Sequence, residues 1–228
     1  FKVSRYSKAI NMMKLKDKDE VVNVTYSVDT NVLVVTKKGY GLWYKTSDIN
    51  PVGIKASGVK SINLRDDEVV SGLLFKNNAE YITLFTDKGT AKRMRFSEID
   101  MGTRGNRGLL FMKEIKSNPS HIVDAYVEDV KTEIVVVTKK YQKEMKIVDI
   151  PIMDRYSNGS FVVKDKIKDT YLSPQEQSKE SFSNLEYVEE PQPEQEQLSF
   201  DMLNKESLKE VDDRMVIINN FLDDIEGK

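Results

Sequence analysis

Over residues 1–172 the apolar positions fall in short runs separated by polar and glycine-bearing breaks. No helical spacing appears before residue 198. Three runs superimpose on one another: Val32-Leu33-Val34-Val35-Thr36-Lys37-Lys38-Gly39, Ile82-Thr83-Leu84-Phe85-Thr86-Asp87-Lys88-Gly89 and Ile134-Val135-Val136-Val137-Thr138-Lys139-Lys140-Tyr141. A second block follows each: Gly58-Val59-Lys60-Ser61-Ile62, Gly108-Leu109-Leu110-Phe111-Met112 and Gly159-Ser160-Phe161-Val162-Val163. A first copy of that block stands near the start as Ala9-Ile10-Asn11-Met12-Met13, and Arg5-Tyr6-Ser7 returns as Arg155-Tyr156-Ser157. The period is near fifty residues.

Each repeat reads as four strands rich in β-branched, aromatic and Leu residues. In the middle copy they are expected at about 69–76, 81–86, 90–96 and 108–115. The Lys-Lys-Gly and Asp-Lys-Gly breaks are hairpin turns in which Gly takes positive φ. In the third copy Tyr141 replaces that Gly, so this turn must differ. Four-stranded units at this period predict an all-β fold, a β-propeller or β-pinwheel fragment. The segments are the end of a truncated blade at 1–16, then blades at 17–65, 66–116 and 117–168. A disordered acidic linker is expected at 169–198 and an amphipathic helical tail at 199–228. The linker is rich in Pro, Glu and Gln. In the tail Ser207 and Glu210 make a capping box, followed by an apolar stripe from Leu208 to Ile225. The chain opens on Phe1 in mid-repeat, as a piece of a longer polypeptide would, and the cut edge at 1–15 is expected to be poorly ordered.

Charge changes this picture more than composition does. The formal net charge is only -2. Residues 1–172, however, carry 30 basic and 22 acidic side chains, while 173–228 carry 5 and 15. A basic body with an acidic tail points to a polyanionic ligand. The tail is expected to compete with that ligand for the basic surface. The absence of Cys excludes a disulfide scaffold, a thiolate metal site and a Cys nucleophile. The longest apolar runs, four residues, exclude a membrane-spanning helix.

The positive charge is densest in the middle repeat. Lys88, Lys92, Arg93 and Arg95 surround the second strand of its hairpin. Arg104 and Arg107 lie in the loop Gly102-Thr103-Arg104-Gly105-Asn106-Arg107-Gly108. Gly in such a loop permits close backbone approach to phosphate, and Arg supplies forked donors. Basic residues recur at related places in the other repeats. Arg5 and Arg155 align with Arg104, and Lys8 with Arg107. Lys38, Lys45, Lys140 and Lys143 lie on or beside the hairpins. These thirteen residues are the candidate contacts of a basic rim that duplex DNA would bend around, with little regard for sequence.

The Thr-Lys-Lys-Gly and Thr-Asp-Lys-Gly hairpins, the Lys92-Arg93 pair and the 102–108 loop make residues 1–165 resemble the C-terminal pinwheel domain of bacterial type IIA topoisomerase A subunits. The 102–108 loop keeps part of the gyrase box Gln-Arg-Arg-Gly-Gly-Lys-Gly but lacks its leading Gln and first Arg. That favours topoisomerase IV over gyrase. The resemblance implies a non-catalytic, cytoplasmic, nucleoid-associated module that bends DNA or presents it for relaxation and decatenation. It implies a B-subunit partner. The cleaving Tyr, ATP and Mg2+ then belong to other parts of the holoenzyme, and this fragment has no cofactor. Gln197-Leu198-Ser199-Phe200 resembles a sliding-clamp docking peptide, with Asp201 where a second large apolar residue belongs.

Other features read plainly. His121 has no second His or Cys to share a metal. At least one of Trp43 and Tyr44 is read as core, and Asp66, Asp67 and Glu68 as an inter-blade turn. The loop lacks the Gly-Lys-Ser/Thr ending of a nucleotide-binding P-loop. No catalytic set can be assembled. The rival is a protein-binding propeller with a docking tail.

Overall fold

The computed structural model describes residues 11, 13–16, 18–25, 31–53 and 55–174. These lie in one compact unit, Phe1–Leu185. Arg5, Lys8, the acidic linker beyond 174, the tail helix and the Gln197–Phe200 peptide fall outside the described residues.

Strands form mostly where β-branched and aromatic residues run on, the polar Gln142–Lys146 strand excepted, and the hairpins turn at Lys-Lys or Asp-Lys. They are β1 (Asn31–Thr36), β2 (Tyr40–Lys45), β3 (Val69–Phe75), β4 (Tyr81–Thr86), β5 (Thr90–Arg95), β6 (Leu109–Leu110), β7 (Ile122–Tyr126), β8 (Glu133–Thr138), β9 (Gln142–Lys146), β10 (Ser160–Phe161) and β11 (Ile167–Leu172). The strand expected at 108–115 contracts to β6. β11 continues to Leu172, four residues into the stretch read as linker. Short 3-10 turns, Thr46–Asp48, Phe96–Glu98 and Ile147–Asp149, follow β2, β5 and β9.

Sequence repeat and sheet are different units. The first sheet has the order β3-β1-β2-β6, the second β10-β5-β4-β7 and the third β11-β8-β9. Each hairpin is therefore flanked by strands from the following repeat. β3 and β6, on either side of the middle hairpin in sequence, both join the first hairpin's sheet. All pairings between strands of a sheet are antiparallel.

Alternation along β1 and β4 buries both faces of the first two sheets. Leu33 and Val35 of β1 meet Ile82, Leu84 and Met94 of the second sheet in one layer, with Phe111 and Ile122. Val32 and Val34 point the other way, with Leu42 and Tyr44. Phe85 and Ala91 meet Ile134, Val136 and Ile147 in the layer between the second and third sheets. Tyr44 is fully buried, as the sequence reading expects of at least one of the pair, and the partly buried Trp43 packs against the first layer.

The flanking strands β3, β7 and β11 are joined by a polar network. Asp124 on β7 accepts hydrogen bonds from Ser71 Oγ, from Tyr126 Oη (2.8 Å) and from Thr170 Oγ1 on β11 (3.3 Å). Burial pushes the Asp124 carboxyl above its usual range, against the pull of these donors, and it raises Tyr126 as well.

Gly89 takes φ +87° in its hairpin, and Gly39 does the same one repeat earlier at +92°. A Cβ on Gly89 would lie 2.6 Å from the Val163 carbonyl oxygen and 2.8 Å from that of Asp165. Both are backbone atoms, which cannot swing aside. Gly89→Ala is expected to cost about 3 kcal/mol, combining left-handed strain with overpacking; urea unfolding followed by the fluorescence of Trp43 measures it. The third hairpin avoids the problem by deletion. Val137 pairs Gln142, whereas Val35 pairs Gly41 and Phe85 pairs Ala91. The turn is one residue shorter, and Tyr141 stands where Tyr40 and Thr90 stand. The Thr138 hydroxyl closes it by accepting from the Lys140 and Tyr141 N–H groups (3.2 and 3.0 Å).

Candidate nucleic-acid interface

The basic candidates divide according to what their charged groups already touch. Lys92 and Arg93, the densest charge in the sequence, are turned inward. Lys92 is 2% exposed, and its ammonium donates to the carbonyls of Phe111 (2.7 Å), Asp154 (2.9 Å) and Arg155 (2.6 Å). Those three bonds saturate its donors. Burial lowers its pKa from the ordinary 10.5 to about 8, although Glu98 and Asp154 pull the other way. Arg93 is 8% exposed and donates from Nε to Ile150 O (2.7 Å) and from Nη2 to Val148 O (3.1 Å). Neither offers its charge to a polyanion in this arrangement.

The 102–108 loop is also used internally. The backbone N–H groups of Gly102 and Gly105 donate to Trp43 O (2.9 Å) and Ser61 O (2.8 Å). Arg104 donates to Asp48 O (2.7 Å) and Lys60 O (2.6 Å). Arg107 donates to Leu64 O (3.0 Å) and lies 3.9 Å above the Tyr40 ring. The loop thus staples 102–108 to the stretch 43–64, and Arg104 and Arg107 are each half-buried as residues. Arg155 repeats the pattern in the next sheet, bonding Leu110 O (3.1 Å) and stacking on Tyr156.

The hairpin tips are exposed but paired. Lys38 meets Asp66 at 2.6 Å and Lys140 meets Asp165 at 3.1 Å. Asp67 accepts the Lys38 N–H, so the Asp66-Asp67-Glu68 run is a turn packed on the first hairpin. Surface pairs of this kind open at little cost. Lys88 is half-exposed at the second tip. His121 meets Asp87 through its backbone N–H (2.9 Å) and Nδ1 (3.3 Å). Lys143 is exposed and donates to Val162 O (2.9 Å).

One set of cations recurs with the same geometry. Lys45, Arg95 and Lys146 each end the second strand of a hairpin, each immediately precede a 3-10 turn, and all three are exposed. Their backbones agree closely: φ/ψ is -79/144 at Lys45, -75/139 at Arg95 and -84/148 at Lys146. Equal dihedrals at equal places in successive sheets launch the three side chains alike. Lys146 was not among the sequence candidates. Counting forward from Thr138 lands on Ile147, because the third turn lacks a residue. The readable signal was a basic residue four positions before Ile49, Ile99 and Ile150, with Asp48, Glu98 and Asp149 between.

No helix among the described residues is long and apolar enough to cross a membrane.

Comparison with known proteins gives this arrangement a lineage. The family described as DNA gyrase C-terminal domain, beta-propeller, matches residues 2–26, 30–75 and 80–127. The A subunit of DNA topoisomerase 4 from Bacillus subtilis is 38% identical over 164 residues, 71% of this chain and 20% of that protein. The chain thus spans about a fifth of the length of such relatives. A crystal structure of the C-terminal domain of DNA topoisomerase IV superimposes with TM-score 0.70 at 35% identity, covering 75% of this chain and 55% of that one. The DNA gyrase A C-terminal domain superimposes with TM-score 0.61 at 24% identity, covering 72% of this chain and 57% of that one, which speaks for the fold. The exchanged strands, the fifty-residue period and these matches have one reading: the chain belongs to the DNA gyrase C-terminal domain family of β-propellers, in the pinwheel form.

Proposed function

We infer that this chain is the DNA-binding and DNA-bending C-terminal domain of a topoisomerase IV A subunit. It presents duplex DNA to a strand-passage core for relaxation and decatenation during chromosome segregation. The B subunit, the cleaving Tyr, ATP and Mg2+ lie with the rest of the holoenzyme. The observation that carries the reading is the recurrence of Lys45, Arg95 and Lys146 at one place per sheet, on a body with 30 basic and 22 acidic side chains. Such a surface binds phosphates and is blind to base sequence. Bending a 20–30 base-pair segment by 40–90° costs about 1–6 kcal/mol, so several contacts must act together.

Fluorescence anisotropy with duplexes of unrelated sequence, titrated over a salt series, tests this. Equal affinities and a slope of log affinity against log salt of about -2.7 or steeper are expected, since three phosphate contacts contribute about 0.9 each. A flat slope, or strong preference for one sequence, would refute the reading.

A further inference from the structure

β5 lies between two neighbouring sheets, and residues 92 and 93 reach to opposite sides of it. Lys92 pairs Leu84 and lies on the Met94 side, toward the first sheet; its ammonium reaches the carbonyl of Phe111, next to β6. Arg93 pairs Thr83 on the Phe85 and Ala91 side, toward the third sheet. It reaches the carbonyls of Val148 and Ile150 at the 3-10 turn after β9. Its backbone is held there too, its N–H donating to Pro151 O (2.9 Å) and its carbonyl accepting from Met153 N (2.8 Å).

The same two positions act at the other joint. Trp43, one repeat before Arg93, donates from Nε1 to Ile99 O (3.1 Å), and its carbonyl accepts from Gly102 N (2.9 Å). Lys143 pairs Val136 as Lys92 pairs Leu84, and it donates to Val162 O just as Lys92 does to Phe111 O. Each joint is thus clasped from both sides: Trp43 and Lys92 between the first and second sheets, Arg93 and Lys143 between the second and third. The apolar layers between sheets are non-directional, whereas a donor aimed at one carbonyl has a distance and an angle to keep.

We propose that these clasps fix the angle between successive sheets, and that Trp43 and Arg93 are positioning residues for the curvature imposed on bound DNA. The second half rests on the DNA-binding reading; the first does not.

The absence of Cys allows spin labels at Lys37→Cys and Lys139→Cys, on the hairpin tips of the first and third sheets. The expected electron–electron distance distribution is narrow in the native background. It broadens or shifts with Arg93→Met and with Trp43→Phe. Trp43→Phe removes the indole N–H together with its five-membered ring and keeps an aromatic ring toward Phe75 and Phe96, so it serves if Arg93→Met fails to fold. The same centre and width in the folded variants would overturn the clasp. The second arm uses saturating protein on a duplex with dyes at its ends. Both variants should show less end-to-end energy transfer than the native chain at an unchanged salt slope. Unchanged transfer beside a broadened label distribution would overturn the curvature half. A slope lowered by about 0.9 in Arg93→Met would make Arg93 a phosphate contact instead. If the native chain binds no duplex at all, the DNA reading falls, while the label distances still decide the clasp.

Discussion

Replacing Lys45, Arg95 and Lys146 together by Ala is expected to weaken duplex binding roughly 100-fold at 0.15 M salt. It should also flatten the slope of log affinity against log salt by about 2.7, or 0.9 for each lost contact. The loss should be the same for every duplex sequence, because phosphate contacts position and do not specify. The fold should survive, since all three side chains are exposed at strand ends. Among the described residues one ion pair is lost, Lys146 with Glu133 at 3.7 Å, a half-exposed surface pair worth little. Anisotropy titrations of the triple variant at several salt concentrations measure both quantities. An unchanged slope would move the interface elsewhere, first to Lys38, Lys88 and Lys140 at the hairpin tips.

Lys92→Met is expected to do the opposite: leave the salt slope alone and weaken the fold. Removing the ammonium leaves the carbonyls of Phe111, Asp154 and Arg155 without it, a loss of about 2 kcal/mol at pH 7 after the relief of a buried charge is counted. The pH dependence identifies the cause. The native chain holds Lys92 with a pKa of about 8, and the unfolded chain at the ordinary 10.5. Below pH 8 both states carry the proton, and the buried charge burdens the native one. Between pH 8 and 10.5 unfolding takes up a proton, so the native chain gains stability as pH rises. The full gain is about 3 kcal/mol at 1.36 per pH unit. The neutral amine keeps two donors for the three carbonyls. The deficit of Lys92→Met relative to the native chain should therefore widen across this window. Urea unfolding of both chains at pH 7, 8.5 and 10 checks it, and a deficit independent of pH would exclude the lowered pKa.

Fold and site were legible to different depths. The hairpins could be read because β1, β4 and β8 carry aliphatic and aromatic residues in short runs, broken in β4 by Thr83, that close on Thr and a turn, a signal local in sequence. The exchange of β3 and β6 into the preceding sheet could not. Pairing partners some thirty to seventy residues apart leave no trace in a period that is the same either way. Lys92 and Arg93 misled because clustered charge usually marks a surface. Here carbonyls from the loop 148–155 and from Phe111 fill the place of water, and only long-range packing brings them there. Lys146 was hidden by one deleted residue.

The exchange of strands gives the domain a grammar in which each clause is finished by the next. A duplicated fifty-residue period would complete not its own sheet but the sheet of the period before it. The newest hairpin would wait for a strand that has not been written. The third sheet is in that condition among the described residues: β9 has no counterpart to β6 or β10 along its outer edge. Repeats can thus be added or lost with little disturbance to the earlier joints, provided that something is found for the last edge. An addition or deletion that respects the sequence period, and not the sheet, is the kind this architecture absorbs.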